Sequence, residues 1–103
     1  MNSEKLQYVI DCLPGEELLC QLAEEAAELS HAALKLRRCL DGTNPSRTPK
    51  EDAWKNLFEE IADVWLSLKA LGLDTDSMIE RYQDIQAEKT DRWADSLDWG
   101  DEG

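Results

Sequence analysis

Residues 16–40 read EELLCQLAEEAAELSHAALKLRRCL, and their apolar side chains recur every three or four residues. That spacing places most of the apolar side chains on one side of an α-helix. The first turn is acidic and the last turn is basic, so the charges complement the helix dipole at both ends. Asp41-Gly42 follows, and Gly readily adopts the left-handed conformation that commonly ends helices. The stretch therefore predicts one long amphipathic helix.

Further helices are predicted on both sides of this stretch. A short amphipathic segment precedes it and stops at Leu13-Pro14-Gly15, because Pro and Gly both break helices. Residues 43–50 predict a loop, and Thr48 is predicted to cap a helix whose first residue is Pro49. Asp74 or Thr75 is predicted to cap the last helix. The predicted helices are residues 4–13, 16–40, 50–71 and 76–93.

The chain shows no alternating apolar pattern and no internal repeat, which predicts an all-α antiparallel helical bundle. Its 103 residues suit a single domain, predicted over residues 1–96 and followed by an acidic flexible tail at 97–103. Two long antiparallel helices cannot bury both of their wide faces alone, and so small a domain has a small core. We therefore expect a second copy to complete the bundle, as a homodimer or a homotetramer.

The formal net charge is −12, and the chain contains three cysteines. So negative a chain is not expected to bind a nucleic-acid polymer or an anionic membrane surface. No apolar run is long enough to predict a membrane span. An odd number of irregularly spaced cysteines, without a CxxC pair or an N-terminal signal segment, predicts a reduced cytoplasmic protein.

Two acidic pairs carry the strongest functional signal. Glu25 and Glu28 lie three residues apart in one predicted helix, and Glu60 and Asp63 repeat that spacing in another. Residues three apart are neighbours on a helix, so packing of the two helices would bring four carboxylates together. A divalent cation is the usual reason to hold such a cluster, with Mg²⁺ expected and Mn²⁺ as the alternative. A solvated acidic face is the other interpretation, because about one residue in five is acidic.

Each of the two long helices is expected to carry an apolar stripe, and the Trp, Leu and Phe positions that stay exposed are expected to pair with the second copy. On residues 16–40 the expected stripe is Leu22, Ala26, Leu29, Ala33 and Leu36. On residues 50–71 it is Trp54, Phe58, Ile61, Trp65 and Leu68. Glu60 lies close to Leu57 and Val64 on the helix surface, so its carboxylate is expected to be partly buried and to need a partner or a metal.

The sequence around the acidic pairs resembles a known family. Glu24-Glu25-Ala26-Ala27-Glu28, followed by Glu60-Ile61-Ala62-Asp63, is similar to the EExxE…ExxD pattern of the all-α nucleoside triphosphate pyrophosphohydrolases, the MazG-like family. AEEAAELSHAALK at residues 23–35 and NLFEEIADV at residues 56–64 resemble the two motif helices of that family. The resemblance covers about residues 16–93. It departs from the family in a longer connection between the two motifs, and in His31, where small members often carry Gln.

The resemblance implies a MazG-like fold and a Mg²⁺-dependent hydrolase that converts a nucleoside triphosphate to the monophosphate and pyrophosphate. The implied metal ligands are Glu25, Glu28, Glu60 and Asp63. Glu24 is the implied base, which would accept a proton from the attacking water. Basic residues would hold the phosphates, and polar and aromatic residues would contact the rest of the substrate. The implied substrate-binding residues are Lys35, Lys89, Arg92, His31, Asn56 and Trp93.

Two other classes stay open from the sequence. Glu28-x-x-His31 has the Glu-x-x-His spacing of di-iron carboxylate bundles, but the chain has one histidine, so the second motif would have to come from a symmetric dimer. A non-catalytic helical assembly module of the same fold would use its acidic pairs for solvation alone. The helical spacing of Trp54 and Trp65 favours the core for both, with stacking on a base as the alternative.

Overall fold

The computed structural model describes residues 3–42 and 48–97, and all regular secondary structure in these ranges is α-helical. The helices in chain order are α1 Ser3–Cys12, α2 Gly15–Asp41, α3 Lys50–Ala70 and α4 Asp76–Ser96. The all-α prediction is confirmed, and the helices differ from the predicted ones only at their ends, most of all at the C-terminus of α4. Most of the predicted loop and nearly all of the predicted tail lie outside the described residues. Within those residues, no helix is both long enough and apolar enough to cross a membrane.

Proline and glycine define the two ends of α2. The Pro14 carbonyl accepts hydrogen bonds from the N–H groups of Glu17 and Leu18, at 3.0 and 3.1 Å. At the other end Gly42 has a φ of 70°, and its N–H donates to the Arg38 carbonyl at 3.1 Å. Residues with a Cβ adopt this left-handed conformation only with strain. The helix end predicted at Asp41-Gly42 is therefore confirmed.

The cap of α3 differs from the predicted cap by one residue. Pro49 is the N-cap residue, with a ψ of 147°, and the helix begins at Lys50. The Pro49 carbonyl accepts from the N–H groups of Asp52 and Ala53 at 3.0 and 3.1 Å, and the Pro49 side chain makes no cap hydrogen bond. The prediction of Thr48 as the cap is wrong, because the extended ψ of Pro49 keeps that residue outside the helix and makes it the cap.

A long seam between α2 and α3 forms the core of the first compact unit, which runs from residue 1 to residue 72. Its buried apolar residues are Leu18, Ala32, Leu36, Ala53 and Ala70. Three of these are alanines, which lets the two helix axes approach closely. On α2 the buried and half-buried positions include 18, 22, 25, 29, 32 and 36, at alternating steps of four and three residues. Glu25 therefore occupies a seam position, and so does the half-buried Glu60 on α3.

The inward side of α2 lies close to the predicted stripe but does not match it. Leu36 is buried, and Leu22 and Leu29 are half-buried, as predicted. Ala26 and Ala33 are exposed, so their assignment to the core is wrong. The predicted stripe and the seam share the same alternating steps of four and three residues, but the seam takes Glu25 and Ala32 in place of Ala26 and Ala33. Because successive residues are about 100° apart around a helix, this choice rotates the buried side of α2 relative to the predicted one.

The large residues of the predicted α3 stripe are exposed, although Leu68 is half-buried. Their exposed fractions are 41% for Trp54, 62% for Phe58, 38% for Ile61 and 46% for Trp65. The buried residues of α3 are instead Ala53, Ser67 and Ala70. Within a single chain the large residues of the stripe do not face α2, because close packing along the seam selects small side chains and the larger ones remain on the outer side. The expectation that such exposed positions pair with a second copy stays a prediction.

The second compact unit, residues 73–103, contains α4. Thr75 Oγ1 accepts a hydrogen bond from the Met78 N–H at 3.3 Å, which confirms Thr75 as the cap. The Tyr82 hydroxyl donates to the Leu73 carbonyl at 2.5 Å and so ties the segment before the helix to its second turn. The single domain over residues 1–96 stays a prediction.

Candidate metal centre and its flanking cavities

Three acidic side chains from α2 and α3 converge on one point. One oxygen from each of Glu25, Glu60 and Asp63 lies within 4.8 Å of the other two, and we call this group the acidic triad. Glu25 and Glu60 are half-buried, and Asp63 is exposed, about one helical turn beyond Glu60. The antiparallel seam brings the three together, because Glu25 lies near the middle of α2 and Glu60 near the middle of α3. Three of the four predicted metal ligands are therefore adjacent in space.

Glu60 is the most constrained member of the triad. Its Oε2 atom is shielded from solvent and has no hydrogen-bond partner among the described residues. Burial raises the pKa of the Glu60 carboxyl above its ordinary value of 4.5, and negative charges raise it further, those of Asp63, Glu25, Glu28 and Glu59 in that order. A shielded carboxylate without a partner is unfavourable in its ionised form. The arrangement therefore favours either a bound cation or a bound proton at Glu60. The predicted partial burial of the Glu60 side chain is confirmed.

The chemistry of the triad fits a hard divalent cation. Its donors are all carboxylate oxygens, which are the ligands that Mg²⁺ and Mn²⁺ prefer. A cation at this point would give Glu60 Oε2 a partner and would offset the repulsion among the three carboxylates. His31 is not part of the triad, so within the described residues this group lacks the nitrogen ligand that a Glu-x-x-His di-iron site requires.

Gln21 positions Glu25, and sequence reasoning missed this residue. Gln21 Nε2 donates to Glu25 Oε1 at 2.9 Å, across one turn of α2. The hydrogen bond restricts the Glu25 side chain and so helps to orient a metal ligand. The i, i+4 spacing of a Gln and a Glu was the available sequence signal. On α3 the Ser67 hydroxyl donates to the backbone carbonyl of Asp63 at 3.1 Å, which leaves the Asp63 carboxylate itself unrestrained by that bond.

A cavity of about 480 Å³ opens between α2 and α3 on one side of the triad, and we call it the basic cavity. Its lining residues are Glu28, His31, Ala32, Leu34, Lys35, Arg38 and Asn56. Four of the predicted site residues are thereby brought together, namely Glu28, His31, Lys35 and Asn56. Glu28 lies beside the triad and not in it, although its charge acts on Glu60. Its role as a fourth metal ligand stays a prediction.

A second cavity, of about 570 Å³, lies on the other side of the triad among α1, α2 and α3, and we call it the apolar groove. Its lining residues are Lys5, Leu6, Val9, Leu13, Leu18, Gln21, Glu25, Asp63, Leu66, Ser67 and Ala70. Two triad members, Glu25 and Asp63, belong to this lining. Sites that bind small molecules are usually apolar cavities in which a few polar groups lie together, and the groove has this composition.

The remaining predicted site residues are exposed. Glu24 directly precedes Glu25 in α2, is exposed and is not part of the triad. Lys89, Arg92 and Trp93 lie on α4 in the second unit, where 71% of Trp93 is accessible to solvent. Their roles at a site formed by α2 and α3 stay predictions.

Comparisons of the chain with models of known protein families, with curated proteins and with solved structures found no match. The case for function therefore depends on the acidic triad, the two cavities beside it and the motif resemblance.

Proposed function

We propose that this protein is a Mg²⁺-dependent nucleoside triphosphate pyrophosphohydrolase, which hydrolyses (d)NTP to (d)NMP and pyrophosphate. The observation that carries the proposal is the shielded, unpartnered Glu60 Oε2 within the acidic triad. The order of features along α2 supports it, because an apolar groove, a cluster of carboxylates and a basic cavity follow one another. A nucleoside triphosphate presents the matching order of base, metal-binding phosphates and terminal anion.

Glu25, Glu60 and Asp63 would hold the metal, with Glu28 as a fourth ligand one helical turn from Glu25. Bound Mg²⁺, or Mn²⁺, would neutralise phosphate charge and lower the pKa of a coordinated water. Gln21 would keep Glu25 oriented toward the metal through the hydrogen bond that it already donates. The chain would thus offer the metal oxygen ligands alone, as its resemblance to the MazG-like family implies.

In the proposed reaction, the oxygen of a water molecule forms a bond to the α-phosphorus. The bond between the α-phosphorus and the oxygen bridging to the β-phosphate breaks, and pyrophosphate leaves with the electron pair. Glu24 is the proposed acceptor of the water proton, since it is an exposed carboxylate next to Glu25. Lys35, His31 and Asn56 would hold phosphate oxygens from the basic cavity. The substrate-binding roles of Lys89, Arg92 and Trp93 stay predictions from the motif resemblance.

The test of this proposal is pyrophosphate release from a panel of canonical and modified (d)NTPs, with Mg²⁺ and with EDTA. We expect release from at least one triphosphate with Mg²⁺, and loss of that release with EDTA, because the triad alone cannot accept a polyanion. Folded protein that releases no pyrophosphate from any of them would contradict the proposal. That result would favour a non-catalytic helical assembly module, which the exposed apolar residues of α3 also fit.

The proposal includes association of the chain with a second copy of itself. The described residues bury few large apolar side chains, whereas the row Trp54, Phe58, Ile61 and Trp65 is exposed. Trp54 and Phe58 stack within this row, with ring centroids 5.9 Å apart. Contiguous exposed apolar surface of this kind commonly marks an interface. We expect light scattering after gel filtration to give two or four times the mass of the chain, and a monomer at all concentrations would contradict this part.

A further inference from the structure

One stripe of α2 continues from the acidic residues into a pair of cations. Glu28, His31, Lys35 and Arg38 follow one another at steps of three, four and three residues, and all of them line the basic cavity. Side chains on an α-helix lean toward its N-terminus. The side chains of Lys35 and Arg38 therefore lean toward Glu28 and the triad. Sequence reasoning missed Arg38, although the spacing of the stripe was the signal that includes it.

The two cations of this stripe are available to an anion. In the part of the chain that the structure describes, neither Lys35 nor Arg38 forms an ion pair with a carboxylate. The neighbouring Arg37 differs, because its Nε lies 3.8 Å from Asp41 Oδ2 and it does not line the cavity. In a chain with a net charge of −12, two cations that share one cavity attract negative charge locally.

We propose that the basic cavity binds the pyrophosphate end of the substrate and that Arg38 is a substrate-binding residue there. This inference rests on the proposed hydrolase function and fixes the direction of the substrate along α2. The β- and γ-phosphates lie toward Arg38, the α-phosphate lies at the triad, and the nucleoside lies toward the apolar groove. A guanidinium suits this role, because it donates paired hydrogen bonds to phosphate oxygens.

Arg38 has a second effect that must be separated from this one. It lies in the last turn of α2, where a cation interacts favourably with the helix dipole. Removal of that interaction lowers the thermal stability of the protein without lowering its affinity for pyrophosphate. Removal of the proposed contact lowers the affinity for pyrophosphate. Both quantities therefore need to be measured on the same variants.

The experiment is calorimetric titration of the full chain with inorganic pyrophosphate in the presence of Mg²⁺. Arg38→Ala is expected to weaken binding about tenfold, because a charge-assisted hydrogen-bonded contact is lost. Arg37→Ala is the matched control, with the same change of charge at the adjacent residue, and is expected to change binding by less than about twofold. Arg38→Lys should fall between them. Circular dichroism and thermal melting establish that each variant is folded. Inhibition of the reaction by its product pyrophosphate should weaken most in Arg38→Ala, less in Arg38→Lys and least in Arg37→Ala.

Equal weakening by Arg38→Ala and Arg37→Ala would assign the effect to net charge and overturn the inference, as would unchanged binding in both. Metal-dependent hydrolysis whose inhibition by pyrophosphate is unaltered in Arg38→Ala would keep the proposed function and reject the inference. Pyrophosphate binding that depends on Arg38, in a protein that hydrolyses no triphosphate, would support the cavity as a pyrophosphate site and reject the proposed function.

Discussion

Glu60→Gln is expected to reduce pyrophosphate release by at least about 100-fold while the fold is retained. Loss of a residue that only orients a metal ligand through a hydrogen bond typically costs about 10- to 100-fold in metal affinity or activity. Glu60 is itself a proposed ligand, so the expected loss is at least as large. Gln preserves the shape of the side chain but removes the charge that binds the cation. The measurement is the initial rate of pyrophosphate release with saturating Mg²⁺, together with the rise in melting temperature that Mg²⁺ produces. In the variant the rate should fall by the stated factor, and Mg²⁺ should no longer raise the melting temperature.

The same substitution should have the opposite effect on the metal-free protein. The pKa of Glu60 is raised in the folded state, so the folded protein binds its proton more tightly than the unfolded chain does. Stability from this group is fully present below the unfolded value of 4.5, and it is lost as the pH rises through the raised folded value. In EDTA at neutral pH, Glu60→Gln should therefore melt at a higher temperature than the wild type. The difference should shrink as the pH falls toward 4.5.

Glu59→Gln is the matched control for this experiment. Glu59 is the adjacent residue, is exposed, and contributes the smallest of the causes that raise the pKa of Glu60. The Glu59→Gln variant should retain pyrophosphate release and the rise in melting temperature that Mg²⁺ produces. If Glu60→Gln retains activity, or if Glu59→Gln loses as much, the metal does not bind at the triad. If Glu60→Gln lowers the melting temperature in EDTA, the carboxylate has a stabilising partner in the folded protein.

Leu36→Ala should give a large loss of stability. Leu36 is 5% exposed in the seam between α2 and α3, and truncation of a buried leucine leaves a cavity as well as removing apolar burial. The expected decrease in the free energy of unfolding is about 2–5 kcal/mol. For a domain of this size, the loss lowers the melting temperature by roughly 10 °C or more. Chemical denaturation with urea, followed by circular dichroism, measures it directly.

Leu19→Ala is the control for Leu36→Ala, because it makes the same change on the same helix at a residue that is 55% exposed. We expect a decrease of less than about 1 kcal/mol, as is usual for surface substitutions. Similar losses in the two variants would mean that Leu19 is buried in an assembly or that the seam does not face inward at Leu36. Measuring the melting temperature at several protein concentrations distinguishes these outcomes, since only an assembly makes it depend on concentration.

The sequence by itself determined the all-α class, the order of four helices and most of their ends. Helical periodicity, Pro14 and Gly42 act within a few residues of chain, so their effects can be inferred locally. The sequence also predicted that Glu60 would be partly buried, because its neighbours on the helix surface are apolar. The i, i+3 spacing made Asp63 its expected companion, the expected packing of the two helices made Glu25 another, and the triad contains both.

Only the tertiary structure decided which sides of α2 and α3 face each other. The predicted stripe of Trp54, Phe58, Ile61 and Trp65 is exposed, and small residues such as Ala53 are buried. Periodicity locates an apolar stripe, but the side of a helix that packs depends on how closely its neighbour approaches along the whole seam. That same register places Glu28 beside the triad and brings Arg38 to the basic cavity. These positions depend on contacts between residues distant in sequence, which local spacing does not specify.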